Sequence, residues 1–83
     1  PTRAFETGIL VLVKNGKGVL AQVAQAVSAA EADITHIDMG DEQLAETAEL
    51  RLRVAVSDRH HLADVLRAVK RAQPVLKVSR IRP

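Results

Sequence analysis

The apolar residues of this 83-residue chain change their spacing several times, and the order of those changes limits the fold more than any other feature. Phe5–Val13 ends in a β-branched run and Glu46–Val56 alternates apolar with polar residues, so both segments predict strands. In Gly18–Glu31 and after Asp58, apolar residues recur at helical spacing, which predicts amphipathic helices. Two shorter aliphatic segments predict further strands: Asp33–Met39 and Val75–Ile81. The predicted order is β-α-β-β-α-β.

This order predicts an α+β fold in which each half of the chain is a strand–helix–strand crossover. Such crossovers are right-handed almost without exception, so both helices fall on one face of a single sheet. The expected architecture is a ferredoxin-like βαββαβ sandwich, with a four-stranded antiparallel sheet and the first and third strands at its centre. The first strand is nevertheless apolar on both sides. We therefore expect a second copy, or the rest of a parent protein, against the open face or an edge.

Three local signals mark the ends of the predicted elements. The polar stretch Gly40–Gln43 predicts a hairpin connection. Asp58 is a candidate N-cap of the second helix, because a carboxylate accepts hydrogen bonds from the free amides of a first helical turn. Pro74 ends or follows that helix. Because the sequence starts at Pro1 rather than Met, we expect residues 1–83 to be a single domain from a longer protein.

The composition excludes several kinds of site. The chain has no Cys, which removes disulfides, Cys-based zinc sites and thiol catalysis. Phe5 is its only aromatic residue, which argues against stacking of nucleic-acid bases. No Ser, Thr, Asp or Glu has the sequence setting of a catalytic residue, so we expect a non-catalytic domain without cofactor or metal. Without a membrane-spanning run or a signal peptide, we expect a cytoplasmic location.

A glycine-containing loop between the first strand and the first helix is the best candidate binding motif. It reads Asn15, Gly16, Lys17, Gly18, Val19, Leu20. The free amides of the helix that follows can bind a carboxylate or phosphate. The alternative is a tight strand-to-helix turn. With Ala21 the loop also fits the dinucleotide-binding pattern G-x-G-x-x-A, which we reject because a hairpin, rather than another parallel β-α unit, follows the second strand.

The three histidines predict no metal site. His60 and His61 are adjacent in a helix, so they point about 100° apart and cannot chelate one ion. We expect both to be exposed or half-exposed. His36 lies in the second strand, where we expect it near the glycine loop, either touching a ligand or as a structural residue.

Charge is unevenly distributed along the chain. Residues 1–50 hold three bases and eight acids, a net charge of −5, whereas residues 51–83 hold nine bases and two acids, a net charge of +7. Arg51 and Arg53 fall on the polar side of the third strand. They indicate either a solvated face or a surface that contacts the phosphate backbone of folded RNA.

Two stretches resemble a known family. The glycine loop, an Ala-rich helix and Asp33–Ile37 resemble an ACT domain. Ser57–Leu66 followed by Val75–Arg80 resembles the C-terminal ACT domain of Rel/SpoT-type (p)ppGpp synthetase/hydrolases. The family's loop is usually Asp-Arg-Pro-Gly-Val/Leu-Leu. The last three residues match here, and the first three differ.

The resemblance implies a regulatory module of the stringent response that pairs as a homodimer, binds an amino acid or similar effector, and signals to catalytic domains of its parent chain. The implied effector site joins the loop of one copy to the second strand of another. Its residues here are Asn15, Gly16, Lys17, Gly18, Val19, Leu20, Ile34, Thr35, His36 and Ile37. Asn15 replaces the family's Asp and offers a ligand ammonium a weaker acceptor than a carboxylate. The alternative is a module that docks on the ribosome, tRNA or its own chain without a small ligand.

Overall fold

The computed structural model describes residues 5–39 and 46–81. It contains six elements in the predicted order: β1 (Phe5–Lys14), α1 (Val19–Ala29), β2 (Asp33–Met39), β3 (Thr47–Val56), α2 (Arg59–Arg71) and β4 (Val75–Ile81). The predicted hairpin at Gly40–Gln43 lies outside the described residues. Neither α1 nor α2, the helices of the described ranges, has the length and apolarity that a bilayer crossing requires.

The four strands form one antiparallel sheet in the order β2-β3-β1-β4, which confirms that the first and third strands are central. The β1–β3 ladder runs without a break from Phe5 opposite Val56 to Lys14 opposite Thr47. Both outer ladders contain an irregularity, between Leu12 and Val13 of β1 and between Ile34 and His36 of β2. The central pair is therefore the regular part of the sheet.

The core lies between the sheet and the two helices. Alternate residues of β1 and β3 meet the apolar stripes of α1 and α2, as the spacing predicts. The buried side chains are Ile9, Val11, Val13, Val23, Val27, Ala32, Ala48, Leu50, Leu52, Val54, Val56, Leu62, Val65 and Val69. No buried residue among those described is polar or charged, so packing of aliphatic side chains is the main source of stability.

The opposite side of the sheet, which we call the open face, carries no helix. On β1 it presents Gly8, Leu10 and Leu12, and on β3 it presents Glu49, Arg51, Arg53 and Ala55. Leu10 and Leu12 are half-buried. We expected both faces of β1 to be covered. Within the described part of the chain, the helices cover one of them. Coverage of the other by a second copy or a parent domain stays a prediction.

The first helix is shorter at both ends than the predicted Gly18–Glu31. Gly18 is its N-cap and Ala30 its C-cap. Glu31 has a φ of 62°, in the left-handed region. Its amide donates to the carbonyl of Ser28, and the amide of Ala32 donates to that of Val27, which is the Schellman pattern of helix termination. A residue in the left-handed region cannot extend a helix, so the apolar spacing predicts a longer α1 than the structure has.

Glu31→Gly is expected to raise the free energy of unfolding by up to about 1 kcal/mol, because glycine adopts the left-handed conformation without the steric cost of a Cβ atom. The matched control is Ser28→Gly, in the last turn of the same helix, which is expected to destabilise by about 1 kcal/mol. Urea denaturation of the two variants measures both effects. Destabilisation by Glu31→Gly would contradict the prediction.

Candidate effector site

The glycine loop ends at a helix N-terminus that no side chain caps. Gly18, the N-cap of α1, has φ 77° and ψ 1°. Its carbonyl accepts the first helical hydrogen bond, from the amide of Gln22 at 3.0 Å. The first turn of α1 has neither a side-chain cap nor an acidic residue. By contrast, the Asp58 carboxylate caps α2 by accepting from the amide of His61 at 2.8 Å, as predicted. The first amides of α1 are therefore available to an external acceptor.

The loop is exposed but anchored at its base. The amide of Lys14 donates to the carbonyl of Pro74 at 2.8 Å, and the amide of Asn15 donates to the carbonyl of Glu46 at 2.9 Å. Residues 15–18 are exposed, while Val19 and Leu20 are half-buried against the core. The loop thus presents polar groups from a fixed position at one end of the sheet.

The predicted β2 part of the site is divided between the two faces of the sheet. Ile34 and Ile37 lie opposite Val54 and Leu52, on the helix side. His36 lies opposite Arg53, on the open face. The irregularity between Ile34 and His36 produces this division, and the Thr35 hydroxyl there donates to the carbonyl of Arg53 at 3.3 Å. A ligand on the helix side of β2 would therefore meet Ile34 and Ile37 but not the ring of His36.

The loop and the predicted β2 residues do not meet within one chain. His36 is level with Arg53 of β3, whereas Lys14, which leads into the loop, is level with Thr47. Six residues of strand correspond to about 20 Å. The expectation that His36 lies near the loop is therefore wrong for a single chain, because β2 begins at the far end of the sheet. The implied site between two copies stays a prediction.

Arg51 and Arg53 are exposed on the open face, as their alternation predicts. They are not part of a purely basic surface. Glu49 precedes them on the same side of β3, and Asp38 of β2 lies directly opposite Arg51. A polyanion such as RNA would meet acidic side chains among the basic ones.

His61 makes contacts that the sequence interpretation missed. Its Nδ1 accepts a hydrogen bond from the amide of Ser57 at 2.9 Å, and its Nε2 lies 2.7 Å from the carbonyl oxygen of Ala30. A ring nitrogen that accepts carries no proton, so Nε2 is the donor to Ala30. The ring thus joins the start of α2 to the end of α1, while His60 is exposed. The Asp58-x-x-His61 spacing, which resembles a capping box, was the available signal for the contact with Ser57.

Within residues 5–39 and 46–81, no three His, Asp or Glu side chains converge into a group that could hold a metal ion. What the loop offers is free amides and an anchored backbone. Groups of this kind can donate hydrogen bonds to a small anion or carboxylate.

Comparison with solved structures confirms the fold. The crystal structure of the ACT domain from GTP pyrophosphokinase of Chlorobium tepidum matches with a TM-score of 0.77 at 19% identity, over 94% of this chain and 99% of that one. A homoserine dehydrogenase from Thiobacillus denitrificans matches with a TM-score of 0.67 at 19% identity, over 99% of this chain and 18% of that one. At such identities the likeness shows the fold alone.

Three further comparisons address the breadth of the fold and the sequence. The C-terminal domain of the MgtC protein from Mycobacterium tuberculosis matches with a TM-score of 0.68 at 13% identity, over 96% of this chain and 87% of that one. A search of curated proteins finds no match. A family model described as the ACT domain matches residues 1–80. Because this match spans nearly the whole sequence, the chain belongs to the ACT domain family, whose members are regulatory, non-catalytic domains.

Proposed function

We propose that this chain is the regulatory ACT domain of a cytoplasmic (p)ppGpp synthetase/hydrolase, and that it senses an amino acid or a similar small effector. In this proposal it signals to catalytic domains elsewhere in the parent chain. The resemblance of Ser57–Leu66 and Val75–Arg80 to the Rel/SpoT type supports the parent enzyme. The similarity in fold to the ACT domain from a GTP pyrophosphokinase is consistent with it.

One observation carries the sensing part of the proposal: the uncapped first turn of α1. The chain caps α2 with Asp58 but leaves α1 with glycine at the same position. A carboxylate placed there would accept hydrogen bonds from the amides of Val19 and Leu20 and would complement the positive end of the helix. In this proposal Asn15, at the start of the loop, binds the ammonium group of the same ligand.

The proposed site needs two copies of the chain. The loop lies at one end of the sheet, and β2 begins with Asp33 and Ile34 at the other. The outer edge of β2 pairs with no other strand of the described sheet. Antiparallel pairing of two copies along this edge, about a twofold axis, would bring the start of the partner's β2 toward the loop. Exposed Ile37 and Met39 would then supply apolar surface beside the ligand.

Such pairing gives the effector a way to signal. A ligand held between two copies binds the paired state and has no complete site in the separated one. It therefore shifts the equilibrium toward the pair by its difference in affinity for the two states. Catalytic domains attached to the two copies would change their relative position.

The test is titration with amino acids, followed by amide NMR and by the oligomeric state from sedimentation. We expect shifts at residues 15–20 and 34–37, together with a larger dimer fraction. Ile37→Lys, which places a charge at the β2 edge, should weaken both binding and pairing. The matched control is Leu76→Lys, at an exposed site on the other edge strand, which should leave both unchanged. Absence of shifts in a folded sample would contradict the proposal.

Docking on the ribosome, tRNA or the parent chain is the second candidate function. The exposed pair Arg51 and Arg53 favours it. The acidic residues on the same face count against a long contact with RNA, because each would repel phosphate. Absence of amide shifts at residues 15–20 in the amino-acid titration would favour this candidate.

A further inference from the structure

A cavity of about 530 Å³ lies at the open face of the sheet, away from the glycine loop. It is lined by the first half of β1, the middle of β3, and the facing parts of β2 and β4. Its volume is within the range of small-molecule sites, which is about 300–1,000 Å³. The glycine loop contributes no residue to it.

The strand register brings both signs of charge to this cavity. Arg53 lies between His36 on β2 and Gly8 on β1. Arg51 lies opposite Asp38. Glu6 lies two residues before Gly8 and therefore diagonal to Arg53. The guanidinium groups of Arg51 and Arg53 thus have a carboxylate on either side of them.

These charges do not neutralise one another through ion pairs. Among the described residues the structure records one side-chain ion pair, between Arg67 and Asp64 on α2. Arg51, Arg53, Asp38 and Glu6 are all exposed and directed toward a common space. Each of them can form a charge-assisted hydrogen bond with a ligand.

The wall toward β4 is formed by the cation Arg80 and the apolar Ile81. Ile81 lies opposite Gly8 and is 40% exposed. A Cβ atom on Gly8 would lie 3.3 Å from the Cβ of Ile81, so any larger residue at position 8 would press on that side chain. Because Gly8 has no side chain, it leaves space in the cavity for an apolar group of a ligand to contact Ile81.

The charge pattern selects the class of ligand. A purely anionic ligand such as phosphate would bind the guanidinium groups but approach two carboxylates. A simple amine would bind the carboxylates but approach three guanidinium groups, those of Arg51, Arg53 and Arg80. A ligand that carries one carboxylate and one ammonium group satisfies both sets. We propose that the open-face cavity is a second binding site, for a zwitterionic amino compound with an apolar side chain, in which Arg53 binds the carboxylate, Asp38 or Glu6 the ammonium, and Ile81 the side chain.

This site is independent of the one proposed at the glycine loop, and amide NMR distinguishes them. Leucine is the probe, with 4-methylpentanoate and isoamylamine as analogues that lack one charge each, and inorganic phosphate as a simple anion. We expect leucine to shift the amides of Gly8, Arg53 and Ile81, and each analogue to bind about tenfold more weakly, because one charge-assisted contact is lost. Shifts confined to residues 15–20 would overturn this inference and support the loop site. Shifts confined to the residues that line the cavity would support this inference and contradict the loop site.

Arg53→Gln and the control Arg59→Gln complete the test. Both residues are exposed, so neither substitution is expected to unfold the domain, and Arg59 lies on α2 away from the cavity. We expect Arg53→Gln to weaken leucine binding about tenfold and Arg59→Gln to leave it unchanged. Equal affinity of the two variants, equal binding of leucine and its single-charge analogues, or tighter binding of phosphate than of leucine would overturn the proposal.

Discussion

Gly18→Val is expected to lower the free energy of unfolding by about 2 kcal/mol and to weaken effector binding at the loop by at least about tenfold. Gly18 has a φ of 77°, and beyond Gly18 and its chain neighbours the structure places no atom within 4 Å of the position that a Cβ would occupy. The cost is therefore one of backbone conformation, since a β-branched residue strongly disfavours the left-handed region. Any relaxation of that strain would turn the first amides of α1 away from the ligand. Chemical denaturation and calorimetric titration measure the two effects.

Two further variants separate conformation from the mere presence of a side chain. Gly18→Asn should keep stability within about 1 kcal/mol of the unmodified chain and should retain binding, because Asn tolerates the left-handed region. Gly16→Ala should have little effect, since its Cβ would make only an ordinary contact with the Val19 side chain at 3.8 Å. If Gly18→Asn lost as much stability as Gly18→Val, the conformational explanation would be wrong.

His61→Ala is expected to lower the free energy of unfolding by about 2 kcal/mol. The substitution removes two hydrogen bonds and leaves the Ser57 amide and the Ala30 carbonyl without their ring partner. In a domain of this size such a loss lowers Tm by roughly 10 °C, which thermal denaturation detects easily. The effect exceeds that of an ordinary surface substitution because the ring links two helices that are distant in sequence.

His60→Ala is the matched control, because His60 is the neighbouring residue of the same first turn and is exposed. Its effect should stay within about 0.5 kcal/mol. The Asp58 cap remains in both variants, so a difference between them reports the ring contacts of His61 alone. Equal stability of the two variants would show that these contacts add nothing.

The order of elements and the sheet topology were predictable because the sequence repeats its apolar residues with the period of each element. Leu52 and Val54 of β3, and Val65 and Val69 of α2, are buried where the alternation and the helical spacing place them. The Asp58 cap was predictable as well, since capping depends on residues within one turn.

The features that were not predicted depend on contacts between distant residues or on backbone conformation. The partner of His61 at Ala30 is 31 positions away, and no local pattern indicates it. The left-handed conformation of Glu31 ends α1 although its side chain favours helix. The irregularity before His36 is set by pairing with β3, and it moved that residue to the open face.

The residues of the candidate effector site stay a prediction, and only the expected nearness of His36 to the loop was wrong for a single chain. The loop is exposed and its helix is uncapped, as binding requires. The β2 residues lie at the other end of the sheet, because β2 starts where α1 ends. The open-face cavity escaped prediction altogether, since it brings together residues from four strands whose spacing in the sequence is unrelated.

The position of β3 has a consequence for how the chain folds during synthesis. β1 and β2 do not pair with each other, because β3 lies between them. The residues that pair between β1 and β3 are 33 to 51 positions apart in the sequence. A nascent chain that stops before Thr47 therefore contains two strands and a helix but no sheet. Contacts over such separations slow folding, because long loops must close before the contacts stabilise anything. During synthesis, β1 and β2 therefore have no partner strand within the described sheet until residues of β3 have been added.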